Sequence, residues 1–192
     1  MSVNKKIAAL LGCGMLLGAA QLPAAPTATM LADTCAGCHG TDGSSTGPAT
    51  PTIAGMSAEY FKTTMEEYQK GERQSTIMGR IAKGYTDDEI KLMADYFAAQ
   101  KIVRVKQDLD AEKVAAGAKL YGKNCEKCHD KNGSLADDDS GILAGQWLPY
   151  LDYSMQDFRA DKRDMPKKMR KKVEKLDDSD IEALLQYFAS QQ

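Results

Sequence analysis

The pattern Cys-x-x-Cys-His occurs twice in this chain, at residues 35–39 and again at residues 125–129. Two cysteines three positions apart lie on the same side of one helical turn, so both can add to the vinyl groups of one porphyrin. The histidine that follows then lies under the iron and offers its Nε2 as a ligand. The pattern therefore predicts two covalently bound haem c groups. The predicted attachment residues are Cys35, Cys38, Cys125 and Cys128, and the predicted iron ligands are His39 and His129.

Other uses of paired cysteines fit the sequence less well. A four-cysteine zinc site would have to join pairs that are 86 residues apart, far beyond zinc-ribbon spacing. A thioredoxin-like pair needs a βαβ context, and no strand pattern is convincing here. Disulfides would suit an exported protein, but they would not explain why the chain's two histidines each follow a cysteine pair.

The first 25 residues have the features of a secretory signal peptide. Lys5 and Lys6 form a charged start, and residues 7–20 are an apolar stretch too short to span a bilayer. We expect cleavage near Ala25, a periplasmic protein and no transmembrane span. The fifth cysteine, Cys13, lies within this leader, and its lipidation is the weaker alternative to simple cleavage.

The net charge argues against two classes of partner. The formal charge of the 192 residues is −2, and loss of the two leader lysines takes it to −4. This balance favours neither nucleic acid nor an anionic membrane.

The remainder of the chain is an internal repeat, which predicts one domain duplicated rather than a solenoid. The two cysteine motifs match at an offset of 90, and the matches beyond Arg73 follow at an offset of 91. We therefore expect a first domain over residues 26–102, a linker over 103–109 and a second domain over 110–192.

The spacing of apolar residues predicts helices throughout both copies, and therefore an all-α fold. A helix is expected over residues 57–69, ending at Gly71, because its aromatic and methionine side chains share one face. Thr86 and Glu89 form a capping box that begins a second helix. A further helix is expected over residues 110–127, running into the second cysteine motif.

Each iron needs a second ligand, and no histidine remains to supply it. Methionine sulfur is the usual alternative. In the first copy we expect Met78, because it lies in a glycine-containing segment before a capped helix, where a loop can approach a flat cofactor. The other candidates are Met56, Met65 and Met93, of which Met65 and Met93 lie on apolar helix faces and are expected to be core residues.

Two methionines compete for the same role in the second copy. We expect Met169, because it keeps the register of Met78 in the repeat. Met165, in a looser context beside Pro166, remains the alternative.

On these features the chain resembles tandem class I cytochromes c such as cytochrome c4. It is more closely similar to the dihaem cytochrome subunit of flavocytochrome c sulfide dehydrogenase. The similarity extends from about residue 30 to residue 192 and depends above all on TIMGRIAKGY at residues 76–85 and ILAGQW at residues 142–147. Further matching segments are CAGCHGTDG, CEKCH, MQDFR and the terminal YFASQQ.

The resemblance implies an arrangement that spacing alone does not give. It implies two domains packed about a pseudo-twofold axis, with the haem propionates facing one another. It implies a separate subunit, carrying FAD and a redox-active disulfide, that oxidises sulfide and passes electrons into the first haem domain. A soluble cytochrome c or similar carrier would be the final acceptor. The implied ligand pairs are His39 with Met78 and His129 with Met169.

One position departs from the family pattern. Class I domains usually have a proline before the Leu/Ile-x-Gly turn, and its carbonyl oxygen orients the proximal histidine. Pro51 fills this place in the first copy, whereas Gly141 aligns there in the second. Because such a partner fixes the ring and tunes ligand basicity, the orientation of His129 is left open and the two haems can differ in potential.

The charged and aromatic residues of the second copy allow more than one interpretation. Residues 159–175 carry nine basic and three acidic side chains. We favour a solvated face here, with a docking face for an acidic partner, or counter-charges for the propionates, as alternatives. Trp147 fits a haem edge, a domain interface or a core position equally well.

Three functions are consistent with two haem motifs. The leading hypothesis is an electron-transfer subunit, not an enzyme by itself, whose partner carries the FAD because no G-x-G-x-x-G motif is present here. The alternative is a free-standing shuttle of the cytochrome c4 type that feeds a terminal oxidase. A dihaem peroxidase is disfavoured, because it needs an open iron position and each copy has a methionine candidate.

Overall fold

The computed structural model describes residues 25–192, and within that range every regular element is helical. The predicted all-α fold of two tandem cytochrome c-like units is confirmed. The helices are α1 (Ala28–Asp33), α2 (Ala36–His39), α3 (Ala58–Lys70), α4 (Met78–Ile81), α5 (Asp87–Ala98), α6 (Ala111–Asn124), α7 (Asp130–Gly133), α8 (Leu148–Arg159), α9 (Lys167–Val173) and α10 (Asp178–Ser190), with one 3-10 turn at Ala82–Gly84.

The first copy is built around α5, which packs against both α1 and α3. Its apolar face carries Ile90, Met93 and Phe97, all fully buried. Phe61 of α3 lies 5.6 Å from Phe97 between ring centroids. The expectation that Met65 and Met93 are core residues is therefore confirmed, since both are buried in this cluster.

The second copy is built around α10, which packs against α6 and α8. The crossing of α6 over α10 is very close at Gly117, because an added Cβ there would lie 2.1 Å from the carbonyl oxygen of Ala183. Glycine is the residue that permits this approach of two backbones. Tyr121, Tyr187 and Phe188 fill the core beneath the crossing.

The helix ends follow from local chemistry that the sequence shows. The Ser57 hydroxyl accepts a hydrogen bond from the Tyr60 N–H at 3.3 Å, and Gly71 ends α3 with φ 76°. The capping box at Thr86 and Glu89 is present in full and begins α5. Both predictions are confirmed.

One predicted helix is shorter than expected. The helix predicted over residues 110–127 ends at Asn124 instead. The peptide N–H of Cys125 bonds back to the Tyr121 carbonyl oxygen at 2.8 Å and closes the helix. The second cysteine motif then forms a turn of its own.

The segment between α5 and α6 touches both copies. The Val103 N–H donates to the Ser44 hydroxyl at 3.0 Å, on the first copy. The Gln107 side chain donates to the Gln146 carbonyl oxygen at 2.9 Å and accepts from the Leu148 N–H at 2.8 Å, both on the second copy. These bonds hold the two copies in a fixed relation.

The leader expected over residues 1–25 lies outside the described residues apart from Ala25. Among the helices that the structure describes, none combines the length and the apolar character needed to cross a bilayer.

Candidate haem sites

Both cysteine motifs form a single helical turn with the same hydrogen bonds. The N–H of His39 bonds to the Cys35 carbonyl oxygen at 2.9 Å, and the N–H of His129 bonds to the Cys125 carbonyl oxygen at 2.9 Å. In each motif the first cysteine is half-buried and the second is exposed. Each turn thus presents two thiols and an imidazole on one short stretch, which is the donor set that a haem c needs.

His39 is held in one orientation. Its imidazole is buried, and Nδ1 lies 2.8 Å from the carbonyl oxygen of Pro51. Because a carbonyl can only accept, Nδ1 carries the proton and Nε2 carries the free lone pair. This tautomer leaves Nε2 available to bind iron, with Pro51 in the orienting role suggested by the resemblance.

Burial sets the protonation of the first site. It lowers the pKa of His39, although the hydrogen bond to Pro51 acts in the opposite direction. A lower pKa keeps the imidazole neutral, which is the form that binds metals. Burial also raises the pKa of the Cys35 thiol, so this thiol is not a ready thiolate for metal or redox chemistry.

The Met78 segment is tied to the first cysteine motif. Met78 begins α4, is half-buried and packs against the first-copy core together with Cys35. The Tyr85 hydroxyl lies 2.6 Å from the Thr34 hydroxyl, one residue before Cys35. The Gln69 amide donates to the carbonyl oxygens of Ala82 and Tyr85 at 3.0 and 2.9 Å, which fixes the chain that follows Met78.

His129 of the second copy is held differently. Its main-chain carbonyl oxygen accepts from the Tyr121 hydroxyl at 2.8 Å, and its ring lies edge-on to Phe188 at 6.3 Å. Within the described residues its ring nitrogens have no hydrogen bond to match the one between His39 and Pro51. Burial lowers the pKa of His129, while the charge of Asp137 raises it.

The two methionine candidates of the second copy differ in their surroundings. Met169 lies within α9, four residues before Val173, so the two side chains share one face of the helix. Val173 packs against the second-copy core together with Cys125. Met165 is buried and precedes α9, beyond Pro166. The assignment of Met169 as the ligand, with Met165 as the alternative, stays a prediction.

Gln146 connects the two copies at the first site. Its side-chain Oε1 accepts from the Thr52 N–H at 2.9 Å, and its Nε2 donates to the Thr52 carbonyl oxygen at 2.8 Å. Gln146 is only 2% exposed. Sequence reasoning gave this residue no role, although its counterpart in the repeat is Met56, and that exchange of an apolar for an amide side chain was the available signal.

Trp147 is a residue of the interface between the copies. Its indole Nε1 donates to the Ser45 carbonyl oxygen at 3.0 Å. Of the three interpretations that the sequence left open, the structure therefore favours the domain interface.

Tyr60 makes the contact on the other side of the interface. Its hydroxyl accepts from Arg163 at 2.8 Å, and its ring lies against Gly141, where an added Cβ would be 2.8 Å from Tyr60 Cε1. The ring thus occupies space beside the residue that aligns with Pro51. Burial by itself raises the pKa of Tyr60, but the charges of Arg163 and Arg73 outweigh it and lower the pKa.

The interface carries excess positive charge. Arg73 is 8% exposed, lies over the Tyr68 ring at 5.2 Å and has one carboxylate, Glu67, at 3.6 Å. Arg163 lies over the Phe158 ring at 4.2 Å. Among the described residues these two cations have one carboxylate between them, and the remaining positive charge fits the two carboxylates that each porphyrin brings.

Comparison with known proteins agrees with two haem-binding units. A family model described as cytochrome c matches residues 24–101, and a model described as cytochrome c oxidase, cbb3-type, subunit III matches residues 112–188. Cytochrome c4 of Pseudomonas aeruginosa is 31% identical over 165 residues, which cover 80% of this chain and 81% of that protein. The chain belongs to the cytochrome c4 family. The resemblance noted from the sequence is thereby confirmed.

A second relative of this cytochrome shows a stronger but shorter match. The cytochrome subunit of sulfide dehydrogenase from Chlorobaculum tepidum is 53% identical over 68 residues. That match covers 35% of this chain and 61% of the relative, so the chain spans less than two thirds of that relative's length.

Two solved structures have the same fold as this chain over most of its length. Reduced cytochrome c4 from Pseudomonas stutzeri superposes with a TM-score of 0.76 at 26% identity, over 86% of this chain and 97% of that one. The thiosulfate dehydrogenase TsdBA of Marichromatium purpuratum superposes with a TM-score of 0.71 at 28% identity, over 82% of this chain and 36% of that one.

The residues of this cytochrome fit two haem c groups. When bound, each haem supplies an iron that takes up and releases one electron. The protein supplies thiols at a helical turn, an imidazole that burial keeps neutral, and a methionine-bearing segment packed near the same core. A site of this composition is suited to electron transfer.

Proposed function

We propose that the chain is the dihaem electron-transfer subunit of a sulfide-oxidising flavocytochrome c. It accepts electrons from a FAD-containing subunit and passes them to a soluble cytochrome c or similar acceptor. The observation that carries the proposal is the 53% identity to a sulfide dehydrogenase cytochrome subunit, against 31% to cytochrome c4 over a longer stretch. The chain works in the periplasm, after removal of its leader.

The proposed site residues are those of the two cysteine motifs together with one methionine in each copy. Thioether bonds to Cys35 and Cys38 hold the first haem, and bonds to Cys125 and Cys128 hold the second. The proposed iron ligands are His39 with Met78 in the first copy and His129 with Met169, or alternatively Met165, in the second.

The surface beside Met78 suits a lasting contact with a protein subunit. Ile77 and Ile81 flank this residue and are 44% and 39% exposed. Apolar side chains of this size at the centre of an interface favour a stable complex. We assign this face to the flavin-carrying subunit, so that electrons reach the first haem.

The surface beside Met169 has the opposite character. The lysines of α9 are exposed, and the charge of Lys172 acts on the pKa of Cys125, which places it near the second attachment site. The ion pairs in this basic stretch, within the described residues, join Arg159 to Asp178 and Arg170 to Asp161. Uncompensated lysines steer an acidic partner on approach. We assign this face to the acidic acceptor.

Purification of the tagged chain from the periplasm of the source cells tests the proposal. The expected result is a complex larger than the lone chain on gel filtration. It contains a second polypeptide that carries FAD, either covalently bound or released on denaturation. Sulfide and thiosulfate are offered to this complex in parallel, and the proposal expects sulfide to be the donor.

The alternative is a free-standing cytochrome c4-type shuttle to a terminal oxidase. The observation that favours it is the superposition on cytochrome c4 over 97% of that chain. A lone dihaem protein that is not reduced through a flavin chain, but that donates electrons to oxidase-containing membranes, would establish this function and overturn the first.

A further inference from the structure

We propose that Gln146 is a positioning residue for the first haem site. Its side-chain amide belongs to the second copy, and it fixes the loop whose carbonyl oxygen orients His39. The proposal depends on His39 being the ligand of the first haem, and it does not depend on which redox partner the protein has.

One rigid peptide group links the amide to the histidine. The Pro51 carbonyl oxygen lies 2.8 Å from His39 Nδ1, and the Thr52 N–H donates to Gln146 Oε1 at 2.9 Å. This carbonyl and this N–H belong to the same planar peptide unit. The carbonyl cannot swing away from His39 without breaking the bond between Thr52 and Gln146.

The same bond also strengthens the carbonyl as an acceptor. A peptide group whose N–H donates a hydrogen bond has a more negative oxygen, because hydrogen bonds in a chain polarise one another. Gln146 therefore acts on His39 in two ways, through the direction of the Pro51 carbonyl and through its strength.

The orientation of the Gln146 amide is fixed by its surroundings. Its Nε2 donates to the carbonyl oxygens of Thr52 at 2.8 Å and Ile142 at 3.2 Å, so both of its hydrogens are used. A flipped amide would place an oxygen against two carbonyl oxygens. The neighbouring Trp147 anchors the same loop through Ser45, whose N–H donates to the Thr52 hydroxyl at 3.1 Å.

The first copy has no side chain that could make the equivalent contact with the second haem site. The counterpart of Gln146 in the first copy is Met56, which has no amide, and the counterpart of Pro51 is Gly141. The second copy therefore constrains the first haem site by a contact that the first copy does not return. The two haem sites therefore differ in the residues around the proximal histidine, although their cysteine motifs match.

The sign of the effect follows from ligand basicity. An acceptor on Nδ1–H makes the imidazole a stronger donor to iron and stabilises the oxidised state. Gln146→Met, which installs the residue found in the first copy, is therefore expected to make the first haem easier to reduce. We expect its reduction equilibrium constant to rise about three- to tenfold, or about 30–60 mV at 59 mV per tenfold change.

The test is a spectroelectrochemical titration of the purified dihaem protein and its variants. Each haem is assigned to its domain by NMR contacts with the thioether protons of its own cysteines. Gln156→Met is the matched control, because Gln156 is an exposed glutamine of the second copy whose side chain bonds to Asp152 and to neither Gln146 nor Thr52. A shift confined to the first haem, in Gln146→Met alone, is the expected result. Equal behaviour of the two variants, or a shift of both haems together, would overturn the proposal.

If Gln146→Met fails to fold, a second variant and a second measurement still test the positioning role of Gln146. Gln146→Asn keeps the amide but is one methylene too short to reach both Thr52 atoms. In either variant, the Nδ1–H of His39 is expected to exchange with solvent faster than in the unaltered protein. If the protein loads both haems and this proton exchanges at the original rate, Gln146 has no positioning role.

Discussion

The ring of Tyr60, in the first copy, lies against Gly141, in the second, so closely that an added Cβ would be 2.8 Å from Tyr60 Cε1. Gly141 takes the place that Pro51 has in the first copy. The Tyr60 ring of the first copy thus occupies the space that a side chain at position 141 would need. Contacts of this kind give each copy a share in the other's haem environment.

Gly141→Ala tests this packing. The extra methyl group must displace Tyr60, and overpacking of this kind costs about 1–3 kcal/mol in the free energy of unfolding. Denaturant unfolding of the dihaem protein measures the loss. Gly47→Ala is the control, because an added Cβ there meets nothing within 4 Å. Adding Tyr60→Ala should remove most of the cost, and a double variant as unstable as the sum of the single changes would contradict the contact.

The methionine ligands are tested by carbon monoxide binding to the reduced protein. Loss of a ligand opens the iron to this molecule, so Met78→Ala and Met169→Ala are each expected to bind about one equivalent. Met165→Ala is expected to bind none. If Met165→Ala binds carbon monoxide and Met169→Ala does not, the ligand of the second haem is Met165.

Asp177 makes the stability of α10 depend on pH. Its carboxylate accepts from the Asp180 N–H at 2.9 Å and from the Ser179 hydroxyl at 2.7 Å, and these bonds hold its pKa below the usual 3.8. Because the folded pKa is the lower one, the stabilisation is present above pH 3.8 and is lost as pH falls through the folded value.

Thermal unfolding at a series of acidic pH values checks this behaviour. Asp177→Asn retains a capping side chain without the titrating charge, so its melting temperature is expected to fall less steeply in acid than that of the unaltered protein. Asp139→Asn, in an exposed loop, serves as the control. Parallel curves for all three proteins would show that Asp177 contributes no pH dependence.

The lysines of α9 are expected to control the rate of electron delivery. Lys172→Glu reverses an exposed charge near the second attachment site and should slow association with an acidic acceptor about three- to tenfold at low ionic strength. Stopped-flow oxidation of the reduced protein measures the rate. Lys119→Glu, on the exposed side of α6, should have little effect, and the difference should vanish in high salt. Equal slowing by both variants would assign the effect to net charge alone.

The sequence predicted those features that depend on neighbouring residues. The turn at each cysteine motif, the end of α3 at Gly71 and the capping box at Thr86 all form within a few residues, so short-range patterns identify them. The duplication was equally clear, because matched cysteines recur at a fixed offset.

The contacts between copies could not be predicted in this way. Thr52 and Gln146 are 94 positions apart, and periodicity carries no information about such pairs. The signal that existed was a break in the repeat, with an amide at Gln146 in place of a methionine and a glycine at 141 in place of a proline. Differences between duplicated copies mark the places where the copies no longer have the same surroundings.

We propose above that this dihaem protein receives its electrons from sulfide through a flavin-carrying subunit. Anaerobic addition of sulfide to the natively purified protein, followed by optical spectroscopy, tests it most directly. We predict rapid reduction of the haem bands when the flavin chain is present and much slower reduction of the haem chain alone. Equally fast reduction without the flavin chain, or no reduction of the complete complex, would contradict the proposed function.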